Sequence, residues 1–153
     1  MKKVYFVTLA LLMALSATAQ EKEGLKPGFV HSVGVGVDYC EARVESVDVI
    51  PELGFGYRIN PRNTVGMTIQ YNIRSSMANV FLTHTYDFMD TMSSPFIEYE
   101  LGVASVLRGP ACHVGLEAGY RIALARKFPL RIGLSMDMNG RLISGGAVLR
   151  FEW

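Results

Sequence analysis

From residue 30 onward, apolar and polar positions alternate with a period of two rather than 3.6, which predicts strands and not helices. Turn-forming residues cut this pattern into eight segments: 30–39, 47–59, 64–74, 79–88, 96–107, 113–124, 130–138 and 142–153. The separators include Asn60-Pro61-Arg62-Asn63, Arg108-Gly109-Pro110 and Asn139-Gly140, whose residue types supply turn backbone. In the last segment Ala147, Leu149, Phe151 and Trp153 alternate with Gly146, Val148, Arg150 and Glu152. The fourth segment carries the weakest pattern, and without it residues 75–95 would form one long loop between seven strands.

Sorting each segment by phase separates the charges completely. One phase holds residues such as Val33, Val35, Val37 and Tyr39 in the first segment and Val65, Met67, Ile69, Tyr71 and Ile73 in the third, and it contains no Asp, Glu, Lys or Arg. The other phase holds fourteen charges: Asp38, Asp48, Glu52, Arg58, Arg74, Asp87, Glu98, Glu100, Glu117, Arg121, Arg131, Asp137, Arg150 and Glu152. Every strand therefore has two unlike faces.

Such alternation fits a barrel with its apolar side inward, as in a soluble lipocalin-like protein that binds an apolar ligand, or outward, as in a membrane barrel. Three features favour outward. Ten of the fifteen glycines share the charged phase, where a crowded interior needs room for Arg and Glu side chains. The charged phase contains no Lys, which a solvated face usually carries. Aromatics of the apolar phase (Tyr39, Tyr57, Phe88, Trp153) lie toward segment ends, where interfacial girdles form. A barrel whose two termini share the periplasmic side needs an even strand number, so the fourth segment is retained. Pro51 inside the second segment removes a ladder donor and predicts a bulge there.

The N-terminus adds a compartment. Met1-Lys2-Lys3, the apolar run Val4 to Leu15 and Ala17-Thr18-Ala19 have the layout of a secretory signal peptide over residues 1–19, followed by a polar periplasmic leader over 20–27 and a barrel domain over 28–153. At 153 residues, with 50% apolar and 19% charged content, one ordered domain is expected. Without Lys2 and Lys3 the chain has 13 basic and 14 acidic residues, a net charge of −1 with no nucleic-acid footprint. No window of 18 apolar residues occurs, so a spanning helix is not expected.

The signal peptide, the eight two-faced segments and the terminal Leu149-x-Phe151-x-Trp153 together resemble a small OmpA/OmpX-type outer-membrane β-barrel, of the outer membrane protein β-barrel domain family. The resemblance covers residues 28–153. It implies an all-β, eight-stranded, antiparallel up-and-down transmembrane barrel with a polar, charged lumen, in the outer membrane of a Gram-negative bacterium. It also implies contact with outer-membrane lipid and lipopolysaccharide, and reading of Leu149, Phe151 and Trp153 by the barrel-assembly machinery as an assembly signal. A monomer with a structural or surface-interaction role and an unknown extracellular partner is the expectation. The outward connections, about 40–46, 75–78, 108–112 and 139–141, are shorter than adhesive relatives usually display.

Three groups of residues could carry chemistry. Asp48, Glu52, Arg58, Arg74, Glu98, Glu100, Glu117, Arg121, Arg131 and Arg150 would share the interior, where charges are tolerated only when paired; a salt-bridged plug and a narrow porin-like channel are the two readings. His113, Glu117 and Ser135 share the inward phase, the residue types of a lipid A-modifying hydrolase, against the simpler reading of a hydrogen-bonded lumen histidine. His84 falls on the lipid phase, where an ionisable group is disfavoured; it is neutral near an interface, or the phase slips there. Cys40 and Cys112 lie at the extracellular ends of the first and sixth segments, either as a loop-clamping disulfide or as two free thiols. No metal-ligand spacing, phosphate loop or nucleophile elbow occurs, and neither catalysis nor a cofactor is expected.

Overall fold

A computed structural model describes residues 25–40, 46–74, 76–106, 109–124, 129–140 and 142–153; the signal-peptide segment and most of the leader lie outside them. The eight segments form eight strands: β1 (Gly28–Cys40), β2 (Ser46–Asn60), β3 (Asn63–Asn72), β4 (Met77–Asp87), β5 (Ser94–Val106), β6 (Gly109–Ala123), β7 (Pro129–Asn139) and β8 (Leu142–Glu152). Each strand pairs antiparallel with its chain neighbours, and β8 pairs with β1, so the sheet is a closed up-and-down barrel. Gly28 and Trp153 lie at one end, the terminal rim; Cys40 and Gly140 lie at the far rim.

The register fixes the bore. Following ladder partners from Gly28 through Arg58, Thr64, Thr85, Glu98, Glu117, Ser135 and Gly146 returns to β1 at Asp38, ten residues farther along the strand. With a rise of about 3.3 Å per residue and strands about 4.8 Å apart, that stagger tilts the strands by about 40° and gives a backbone radius of roughly 8 Å. Such a cylinder is just wide enough for side chains to fill.

The two phases part as their chemistry demands. Val33, Val35, Val37, Leu53, Phe55, Ile69, Leu82, Leu101, Leu134, Leu149 and Phe151 are exposed on the outside, while Glu52, Glu98, Glu117, Arg121, Arg131 and Arg150 are buried within. A soluble barrel with an apolar interior is thereby overturned: the lumen is the charged side. Outward aromatics crowd the terminal rim, where Phe29 meets Tyr57 edge to face, Tyr86 meets Phe88 likewise, and His31 lies against Phe55 and Trp153. Among the described residues no helix is long and apolar enough to cross a membrane, so any crossing is made by strands.

Three local expectations change. β2 keeps register with β1 through Val35↔Pro51, and its ladder with β3 starts only at Glu52; the irregularity falls between Arg58 and Asn60, so the bulge expected at Pro51 is absent. The missing proline donor is accommodated where one ladder has already ended. The connection expected over 108–112 is largely strand, since Pro110 and Cys112 pair with Ser105 and Val103. His84 does not break the phase. It points outward, stacks on Tyr99, and has Asn63 Oδ1 3.1 Å from its Nε2, close to the terminal-rim turn.

Candidate functional site

The interior is built unevenly. The inward positions of β1–β3 are mostly small, including Ser32, Gly34, Gly54, Gly56, Thr64, Gly66 and Thr68, and β5–β8 supply long charged side chains that reach across. Arg150, on β8, is the hub: its Nη1 donates to Glu98 Oε1 (2.7 Å) on β5, its Nη2 to Glu117 Oε2 (2.9 Å) on β6, and its Nε to Glu52 on β2. Gly34 makes this possible, because a Cβ there would sit 2.5 Å from Glu52 Oε1 and 2.9 Å from Arg150 Cγ.

A second tier lies toward the terminal rim. Arg131 pairs with Glu98 (2.9 Å) and Glu152 (3.1 Å), and its guanidinium stacks 3.9 Å above the ring of buried Phe96. Arg121, which has no exposed surface, pairs with Asp87 (2.7 Å) and Glu152 (3.0 Å), and Arg58 approaches Glu152 at 3.7 Å. Thr85 also donates to Glu98, and Gln70 to Glu52. A cavity of about 30 Å³ bounded by Ser32, Thr68, Thr85, Glu98, Arg131 and Arg150 remains, room for about one or two waters.

Seven of the ten residues expected to share the interior thus meet in one ion-pair network: Glu52, Arg58, Glu98, Glu117, Arg121, Arg131 and Arg150. Asp87 and Glu152, inward charges with no assigned role in the sequence, complete it. Asp48 and Arg74 instead meet near the far rim, where the Arg74 backbone N–H donates to Asp48 Oδ1 at 2.8 Å. Glu100 stands apart from the arginines and faces His113 at 3.1 Å.

The hydrolase constellation does not assemble. His113 Nε2 faces Glu100 and, at 3.9 Å, Asp137; Glu117 is bound by Arg150; and the buried Ser135 Oγ has no hydrogen-bond partner among the described residues. His113 and Glu117 are four positions apart on one strand, about 13 Å along it, whereas Glu100 is a near cross-strand neighbour. Cys112 is a free, exposed thiol, so it forms no disulfide with Cys40, whose side chain lies outside the described residues. Leu149, Phe151 and Trp153 all face outward, and Trp153 exchanges two 3.0 Å backbone hydrogen bonds with His31 on β1.

No family model matches the chain, and no curated protein does either. Solved structures do. The chain is similar to the Neisserial surface protein A, at a TM-score of 0.67 and 17% identity over 84% of this chain and 98% of that one. It is similar to the N-terminal β-barrel domain of Pseudomonas aeruginosa OprF, at a TM-score of 0.60 and 12% identity over 84% and 100% of the two chains. A de novo designed transmembrane β-barrel matches at a TM-score of 0.56 and 18% identity over 86% and 100%. The fold is therefore that of the small eight-stranded OmpA/OmpX-type outer-membrane barrels. A designed chain among the neighbours makes plain that this fold carries no particular activity with it.

Proposed function

We propose that this chain is a non-enzymatic outer-membrane barrel of a Gram-negative envelope, with a structural or surface-interaction role and a lumen closed by ion pairs. The observation that carries this reading is Arg150 bound at once to glutamates of β2, β5 and β6, a bridge across the bore at its narrow middle. An apolar outer wall with aromatics gathered at the terminal rim supports a lipid environment, with lipopolysaccharide and phospholipid as its immediate partners. In this reading the terminal rim is periplasmic, and the barrel-assembly machinery engages the outward Leu149, Phe151 and Trp153. The barrel works as a monomer, and any extracellular partner meets the far rim. The signal peptide over 1–19 supplies the export route.

Two measurements test it. Cell fractionation should recover the protein in the outer membrane with heat-modifiable gel mobility; recovery as a soluble periplasmic protein of fixed mobility overturns the location. Protein reconstituted in a planar bilayer should show no steady conductance steps, and steady single-channel steps would replace the plug with a pore.

A further inference from the structure

The arginine network stops short of the far rim. Beyond the level of Glu98 and Glu117 the lumen holds Asp38, Glu100 and Asp137 with His113, and no described Arg or Lys pairs with Glu100 or Asp137. Buried carboxylates at such a density require a counter-cation or a proton.

The register shapes this level in detail. Glu100, Gly115 and Asp137 lie opposite one another on β5, β6 and β7, so the glycine leaves an open floor between two acids. A Cβ on Gly115 would fall 2.5 Å from Glu100 Oε2 and 2.6 Å from Asp137 Oδ1. One ladder position away, Phe81, Gly102 and His113 form a second such row, and the absent side chain lets Phe81 stack on the His113 ring at 4.5 Å and 17°. His113 is thereby pinned. Its Nδ1 lies 2.7 Å from Asn139 Oδ1, an acceptor, so Nδ1 carries the hydrogen and Nε2 is the nitrogen aimed at the two carboxylates.

Asp137 supplies an independent indication. It is only 8% exposed, it accepts no hydrogen bond from any described residue, and its one polar neighbour is His113 Nε2 at 3.9 Å. A buried carboxylate without a donor, converging with a second carboxylate on an oriented imidazole nitrogen, is a ligand set. The donor atoms Nε2, Glu100 Oε2 and Asp137 Oδ1 lie within 4.8 Å of one another. The Nε2–oxygen separations of 3.1 and 3.9 Å bracket the ~3.0–3.4 Å edge expected between ligands at about 2.1 Å from one metal. A second acidic triple, Glu98, Glu100 and Glu117, differs in kind, because Arg131 and Arg150 already neutralise two of its members.

We propose that Glu100, His113 and Asp137 bind a single divalent transition-metal cation on the far-rim side of the plug. One imidazole with two carboxylates suits Zn²⁺ or Mn²⁺, with water completing the shell. Asn139 orients the histidine from behind, as hydrogen-bond partners of metal-ligating histidines do.

Full-length protein folded in detergent micelles and dialysed against Zn²⁺, and separately Mn²⁺, should retain one equivalent of at least one of them. Glu100→Gln, Asp137→Asn and His113→Ala should each weaken binding at least tenfold, and Asn139→Ala about 10–100-fold. Gly115→Ala is the discriminating variant. Its new methyl meets only the ends of flexible side chains, so folding, read by heat-modifiable mobility, is kept while metal is lost. His31→Ala and His84→Ala, which alter outward histidines, should bind as the wild type does. Zn²⁺ or Mn²⁺ should also raise the urea midpoint of the wild type and leave that of Gly115→Ala unmoved. Failure of the wild type to retain either metal, or equal retention by Gly115→Ala and Asp137→Asn, overturns the site; neither outcome bears on membrane location or on conductance.

Discussion

Arg150 stands between three carboxylates from three strands, and its removal would strand Glu52, Glu98 and Glu117 in the lumen with only Arg131 left near them. Breaking a buried pair by deleting one partner costs about 3–5 kcal/mol. Arg150→Ala should therefore lower the unfolding free energy by that order, measured by urea titration in lipid vesicles. Glu117→Gln should cost less, because Arg150 keeps its contacts with Glu52 and Glu98; equal losses for the two variants would show that the hub is not Arg150. At this scale the sequence was legible in phase and not in partnership. Each inward charge could be assigned a face from its position in a two-residue period, but Glu152 meets Arg58, Arg121 and Arg131 only because the stagger brings β2, β6 and β7 to it. His113 went to Glu100 rather than Glu117 for the same reason: partners are chosen across strands, by a register that no local spacing records.

Among the elements, β6 and β7 meet most tightly at Gly119↔Gly133. A Cβ at Gly119 would lie 2.1 Å from Ile132 O and 2.6 Å from Gly133 Cα, backbone atoms that cannot move aside, whereas at Gly133 it would meet the Glu117 side chain. Gly119→Val should thus abolish the folded, heat-modifiable band on refolding, and Gly133→Ala should weaken but not remove it. β8 carries the outward Leu149, Phe151 and Trp153, so Phe151→Ser with Trp153→Ser should lower outer-membrane levels several-fold and send the chain to periplasmic proteolysis, read by immunoblot of fractions; unchanged levels would show that these side chains are not what assembly reads. Strand number, order and facing were all readable from alternation and turn residues. Ends were less so: Pro110 reads as a turn yet lies in β6, because the β5–β6 ladder continues to Val106↔Gly109.

The molecule as a whole is an apolar cylinder around a polar core, the inverse of a soluble barrel. Its outer wall was legible because lipid accepts no charge and the apolar phase contains none. Its interior was legible only as a composition, since a bore set by a ten-residue stagger can be filled in many ways and the sequence does not say which row meets which. The separation of the lumen into an arginine-paired half and a carboxylate-rich half emerges only from the closed register.

The β1–β8 ladder has one more consequence. It joins Ser32 to Glu152, 120 positions apart, while every other ladder links neighbours along the chain. Loop-closure entropy makes such a contact the least probable to form early and the last to gain from its neighbours. Once it is made, the sheet has no free edge from which fraying can start, so departure from the native state must part this one seam against all of its hydrogen bonds together. Slow formation and slower loss are two readings of the same topology, and resistance to unfolding in this protein is expected to be a matter of rate.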